Sequence, residues 1–416
     1  MTLGTKRLIG ALLSTSILFG AVSVADAETL VIAGRDGSMG QALELAVEAY
    51  LEQNPDLEVE RLELTGGGLL ETVTIAMREG SDAYDVIMID DPWAPEFMAN
   101  GWLRDLDELG GGVDEDFVAP ARDVSRHPYA EGPHYAVPFV GNVELFAYRS
   151  DLFDQYGLSR PESWTDVLTA AQTIGEGEED VSGVVFRGIK ANPIVTGFLP
   201  ILWAHGARVV GEDGRGGLDG EGALQALELY LQLAEHAPRG VETYNSTEVR
   251  DALMQGTTAI SIELWPSWAP SLDDPELSKV PGLIEIMAAP GQVQGPAPML
   301  GAWLVGVATT SQNPERARDF IDFLTSPEMQ KRLALEVGTP PTRASVYADD
   351  EVVGAYRWYP AQLDALNNAQ PRPRITQWSR VETILGDFLQ LALIGEMEPA
   401  DALAEANERI NDALAR

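Results

Sequence analysis

Apolar and polar positions along the chain fall into two alternating kinds of segment. TLVIAG (29–34) and DVIMID (85–90) are short, unbroken apolar runs, the pattern of strands buried on both faces. Between them, Leu43, Val47, Tyr50 and Leu51 recur at helical spacing before Asn54-Pro55, and a second helical pattern runs over 69–78. LEVERLEL (57–64) alternates, with Leu57/Val59 and Leu62/Leu64 separated by a phase slip at Arg61 that predicts a bulge. Strand–helix–strand–helix–strand predicts an α/β fold with a mainly parallel sheet covered on both faces. Beyond it the pattern predicts an extended segment from 134 and a helix start at PESW (161–164). Strands are predicted at 183–188 and 207–211, and a helix over 224–236. A helix–glycine–strand unit follows over 252–265, then a strand over 299–310, a helix–break–helix over 313–343 and a helical tail over 381–415.

Ligands of such sheets sit beyond the carboxyl ends of the strands. There the first strand delivers Arg35, Asp36 and Ser38, the second Thr65, and the third Asp90 and Asp91 with Trp93 close behind. ELWPSWAP (263–270) closes another apolar run with two indoles three positions apart, hemmed by prolines. Core packing is one use for such residues, and a stacking surface for a ligand is the other.

The amino terminus changes the picture of location. Lys6 and Arg7, the apolar stretch 8–24 and the small-residue pattern Ala25-Asp26-Ala27 predict a cleaved secretory signal peptide over 1–27. With no cysteine there is no disulfide and no thiol for a lipid anchor, so a free periplasmic protein is expected. Removing Lys6, Arg7 and Asp26 with the leader leaves 26 basic against 64 acidic residues. That field disfavours nucleic acid and anionic membranes as partners. It fits either a saline habitat or a cationic ligand. A chain of 416 residues exceeds what one core usually covers, so two lobes are expected.

Five blocks, in order, resemble the extracellular solute-binding proteins of sugar ABC transporters, the family of trehalose- and maltose-binding proteins. They are 85–106, VPFVGNVELFAYRSDLF (137–153), PESW (161–164), ALMQGTTAISIELWPSW (252–268) and 300–343. The resemblance implies a two-lobe, type II-like periplasmic binding fold with the ligand in the interdomain cleft. Residues 28–140 plus 290–325 would form one lobe and 145–285 plus 328–416 the other, with crossings near 141–144, 286–290 and 324–328. By the same resemblance Asp90 matches a sugar-contacting aspartate, Trp265 the stacking residue of a W-P motif, and Trp303 the tryptophan of a Gly-Gly-Trp block. Arg343 of TPPTR matches a ligand-reaching arginine. Asn142 stands where a related type has aspartate, and Trp268 offers to replace the aromatic missing at Ser267. Asp36, Ser38 and Thr65 are carried over too. The implied partners are a carbohydrate or polyol and the permease subunits of an importer, with a monomer as the default and no cofactor.

Other classes fit less well. Asp90 and Asp91 are neighbours on one strand, facing opposite ways, a poor pair for a glycoside hydrolase. His127, His134, His205 and His236 lack metal-ligand spacing, and no G-x-S-x-G occurs. A binding protein for a cationic solute such as a polyamine is the nearer rival, since Asp36, Asp90, Asp91 and Glu263 could converge on an ammonium group. Arg35, Arg343, Arg187 and Lys190 argue the other way.

Overall fold

The computed structural model describes Met1, residues 28–110 and residues 112–415; the expected signal peptide lies outside the described residues. Among the described residues, nine strands build two sheets. The first has the order β2-β1-β3-β9-β4, from β1 (Glu28–Arg35), β2 (Leu57–Leu64), β3 (Val86–Asp90), β4 (Val137–Val140) and β9 (Trp303–Val307). The second has the order β6-β7-β5-β8, from β5 (Leu145–Arg149), β6 (Ser182–Val185), β7 (Thr258–Leu264) and β8 (Ile284–Ala288). Strand β1 runs parallel to β2 and β3, while β9 returns to the first sheet antiparallel to β3 and β4. The chain is thus a two-lobe α/β protein with one sheet at the centre of each lobe.

Local chemistry explains the elements. β3 and β9 are buried along their apolar stretches, as unbroken Val/Ile/Leu/Met runs require. Ser163 starts the helix Trp164–Gly177 with a reciprocal capping box to Asp166, which is why PESW reads so clearly as a helix start. Gly256 stops the helix Ser246–Gln255 at φ 70°, and β7 follows directly.

Two expectations are corrected, and two elements appear that the pattern does not predict. The phase slip at Arg61 is no bulge: β1 and β2 pair in unbroken register from Glu28–Leu57 to Arg35–Leu64. β2 is an edge strand, so Arg61 can face outward and pair with Glu63 at 3.0 Å. ARVVG (207–211) buries Val209 without joining a sheet, and only Val210 bridges to Gly216. The proline-rich stretch 266–298 conceals β8, whose alternating IEIMA covers a sheet edge. The largely apolar helix Asn192–Ala204, buried all round from Ile194 onward, has too little periodicity to be read from sequence.

Residues 328–416, expected in the second lobe, are divided. The helix Pro327–Val337 packs on the helix Ser38–Gln53, and Met329, Leu333 and Ala334 join the core of the first sheet. The helix Tyr359–Asn367 leans on β8. Only from the helix Trp378–Leu393, packed on Asn192–Ala204, does the chain belong to the core under the far face of the second sheet.

Candidate ligand-binding site

Both sheets end on a cleft of about 630 Å³. The first lobe contributes Arg35 and Asp36 from the end of β1. There Gly37, at φ 71°, turns the chain into a helix whose first residue, Ser38, also faces the cleft. Asp90 ends β3, and Trp93 follows one short turn later. The second lobe contributes Arg187 just past β6, and Asn192 and Thr196 from the first turns of Asn192–Ala204. It also supplies Arg250 and the stretch Trp265–Trp268 after β7. Asn142, Gly301, Trp303, Arg372 and Glu382 also line it.

The aromatic walls are fixed by their neighbours. Trp303 meets Trp93 edge-to-face at 5.3 Å and 78°, with the Arg35 guanidinium 5.3 Å above its ring. Trp265 has the Arg187 guanidinium 5.4 Å from its ring. Its outer edge lies on Gly301, where a Cβ would come within 2.5 Å of Cζ3, so the plate needs a glycine beneath it. The indole closing ELWPSWAP is therefore a cleft wall rather than a core plug.

Beneath the walls lies a buried ionic floor. Arg372, 2% exposed, donates from Nη2 to Asp90 at 3.0 Å and to Asp91 at 2.7 Å, with Glu382 at 4.0 Å. Arg374 donates to the Asp91 and Val124 carbonyls. Burial pushes the Asp90 carboxyl up to about 7 against the pull of Arg372, and the neighbouring Asp91 and Glu382 carboxylates add to the rise. On the other side Arg187 donates its backbone N–H and Nε to Glu263, and Nη2 to Thr196. Asn192 donates to Glu382 at 2.9 Å. The Oδ1 of Asn142, a residue that lines the cleft, is buried without a partner.

Of the nine residues singled out from sequence, Asp36, Ser38, Asp90, Asn142, Trp265, Trp268 and Trp303 line the cleft, and two do not. Thr65 spends its hydroxyl capping the helix Gly66–Arg78, accepting from the Gly68 N–H. Arg343 lies elsewhere: its Nε donates to the Thr325 carbonyl at 2.6 Å, its Nη1 to Asp114 and Asp116, and it sits 3.9 Å over the Phe117 ring. It holds the end of the helix Pro314–Leu324. Trp93, close behind Asp91 in the sequence, also reaches the cleft, though only 9% of it is exposed. Sequence reasoning missed Arg372, Glu382 and Asn192. The Pro-flanked arginines of QPRPR (370–374) were the available signal, but the carboxylates they serve lie about 280 positions earlier.

The fold and this cleft between lobes define a solute-binding protein. The chain belongs to the family of bacterial extracellular solute-binding proteins, whose model matches residues 36–331. It is 27% identical to a probable ABC transporter-binding protein of Deinococcus radiodurans, over 98% of this chain and 97% of that one. It is 26% identical to a mannitol-binding protein of Pseudomonas aeruginosa, over 96% of each. Among solved structures, maltose-bound MalE3 of T. maritima superposes with a TM-score of 0.83 at 27% identity, covering 92% of this chain and 99% of its own. A D-mannitol-bound solute-binding protein of Agrobacterium vitis gives 0.81 at 26%, covering 94% and 99%.

Proposed function

We propose that this protein captures a neutral carbohydrate or polyol outside the cytoplasmic membrane and delivers it to the permease of an ABC importer. The observation that carries the reading is the composition of the cleft: two tryptophan walls, Trp265 and Trp303, over a floor whose carboxylates already hold guanidiniums. Sugars and polyols offer C–H faces for the indoles, and hydroxyls for Ser38, Asn142, Asn192 and Asp90. The relatives named for mannitol and maltose support the same class. A cationic solute fits less well. Asp36 is paired with Arg35 at 3.3 Å, Asp90 with Arg372 and Glu263 with Arg187, so an ammonium group would have to displace an arginine.

Capture works by hinge closure. The lobes join through 141–144, through the return from β8 to β9, and through 370–377, and the solute is held from both sides. The acting form is the mature chain from residue 28, free in the periplasm. Among the described residues no helix is long and apolar enough to cross a membrane. A thermal-shift panel of D-mannitol, ribitol, maltose and spermidine on residues 28–416, with hits checked by calorimetry, tests the reading. Ligand at 100 times its dissociation constant should add about 2.7 kcal/mol of stability. Response to a polyol or sugar is the expected result; response to spermidine alone would replace the ligand class.

A further inference from the structure

The floor of the cleft holds more buried carboxyls than cations. Asp90, Asp91, Glu144, Glu263 and Glu382 are all at most 14% exposed at the side chain or fully buried, and the guanidiniums among them are Arg187, Arg372 and Arg374. An unpaired ion at such depth is costly, so part of this carboxyl set must carry protons. The hydrogen bonds single out one bearer. Glu263 takes two donors from Arg187, Asp90 and Asp91 share Arg372, and Glu382 accepts from Asn192. Glu144 is 0% exposed and neither of its side-chain oxygens has a partner.

Its position ties it to ligand capture. Glu144 ends the passage from β4 to β5, anchored by its N–H to the Met299 carbonyl two residues before Gly301, on which Trp265 rests. The charged and titratable groups facing it are Glu263 on β7, Arg187 after β6, Arg372 on the third passage and Tyr230 on the helix Glu221–Ala234. We infer that Glu144 is a positioning residue held as the neutral acid, whose proton leaves Arg187 bound to Glu263 and so keeps Trp265 set against the ligand. As an anion it would compete with Glu263 for Arg187, the cation that overlies that indole. Burial and the facing Glu263 carboxylate both push Glu144 well above the ordinary glutamate range. The ligand half of the inference rests on the proposed carbohydrate reading; the proton half does not.

The test compares wild type with Glu144→Gln, which mimics the protonated acid without being able to ionise. In the ligand-free proteins, folding of wild type must take up a proton above the ordinary carboxyl range. Its folding constant relative to the variant should therefore fall by up to about tenfold per pH unit from about pH 5 upward, until the folded-state acid ionises. Parallel stability curves between about pH 5 and 8 would show Glu144 already charged and overturn the proposal. With whichever panel solute binds, the dissociation constant of wild type relative to the variant should rise at least about threefold across the pH range in which the ligand-free stability curves stop diverging, where the folded-state acid ionises. Diverging stability curves with superimposed binding profiles would make the proton structural and overturn the positioning role. If Glu144→Gln does not accumulate, Glu144→Met, neutral and of similar volume, replaces it in both measurements. Absence of any carbohydrate response would sink the functional reading instead, and the ligand-free curves would still decide whether the proton is there.

Discussion

Arg343 and Arg372 are two buried arginines with almost the same first description. Each is under 8% exposed, and each serves two aspartates close together in sequence, Asp114 and Asp116 in one case, Asp90 and Asp91 in the other. The motif TPPTR pointed to the first as a ligand residue, while the second stood in QPRPR with no carboxylate partner near it before Glu382. What separates them is the second duty of their partners. Asp114 and Asp116 look to solvent and to the start of the short helix Ala344–Tyr347, whereas Asp90 ends a central strand and also faces the cleft. A buried arginine becomes part of a binding site through the group it orients, and that group is fixed by topology.

The largest test of this contrast is to remove each guanidinium in turn. Arg372→Met should weaken binding of the responding solute about a hundredfold or more and destabilise the fold by about 3–5 kcal/mol, since it strands buried carboxyls. It should also give the cleft a response to spermidine that wild type lacks. Arg343→Met should cost about 1–3 kcal/mol of stability, from lost hydrogen bonds and packing on Phe117, and leave the dissociation constant within about twofold. Equal losses of binding would erase the distinction. Calorimetry and chemical denaturation on both variants read these quantities.

A middle-sized test concerns the walls. Trp265→Ala removes the plate and should cost about 2 kcal/mol of binding, roughly thirtyfold, with a smaller effect on stability, since the indole is only partly buried. The smallest effect is expected at Thr65, the other residue that the structure takes out of the cleft. Thr65→Ala loses a 3.4 Å helix cap, worth about 0.5 kcal/mol of stability, and should leave binding unchanged. A clear loss of affinity there would return Thr65 to the site.

These contrasts also show what could be read from the chain. The apolar runs of β1, β3, β7 and β9, the capping box at Ser163 and the glycine stop at Gly256 are local signals, and each produced the element it predicts. The strand ends placed Asp36, Ser38 and Asp90 on one rim by the geometry of parallel sheets alone. The rest was hidden because its cause is distant or aperiodic. Helix Asn192–Ala204 is apolar on every side, β8 sits among prolines, and Arg372 acquires meaning only when the third passage brings it under β3. The departure of Pro327–Val337 from its expected lobe has the same origin, since its apolar face says that it packs but not on what.

Gly301 has a practical consequence beyond its fit to the indole. Because no side chain separates Trp265 from the passage between lobes, any shift of that passage moves the ring relative to the guanidinium of Arg187. Indole emission responds to nearby charge, and Trp303 and Trp93 form a second emitting pair on the opposite wall. A solute that moves this passage should therefore change the intrinsic fluorescence, which a titration can follow without an attached dye.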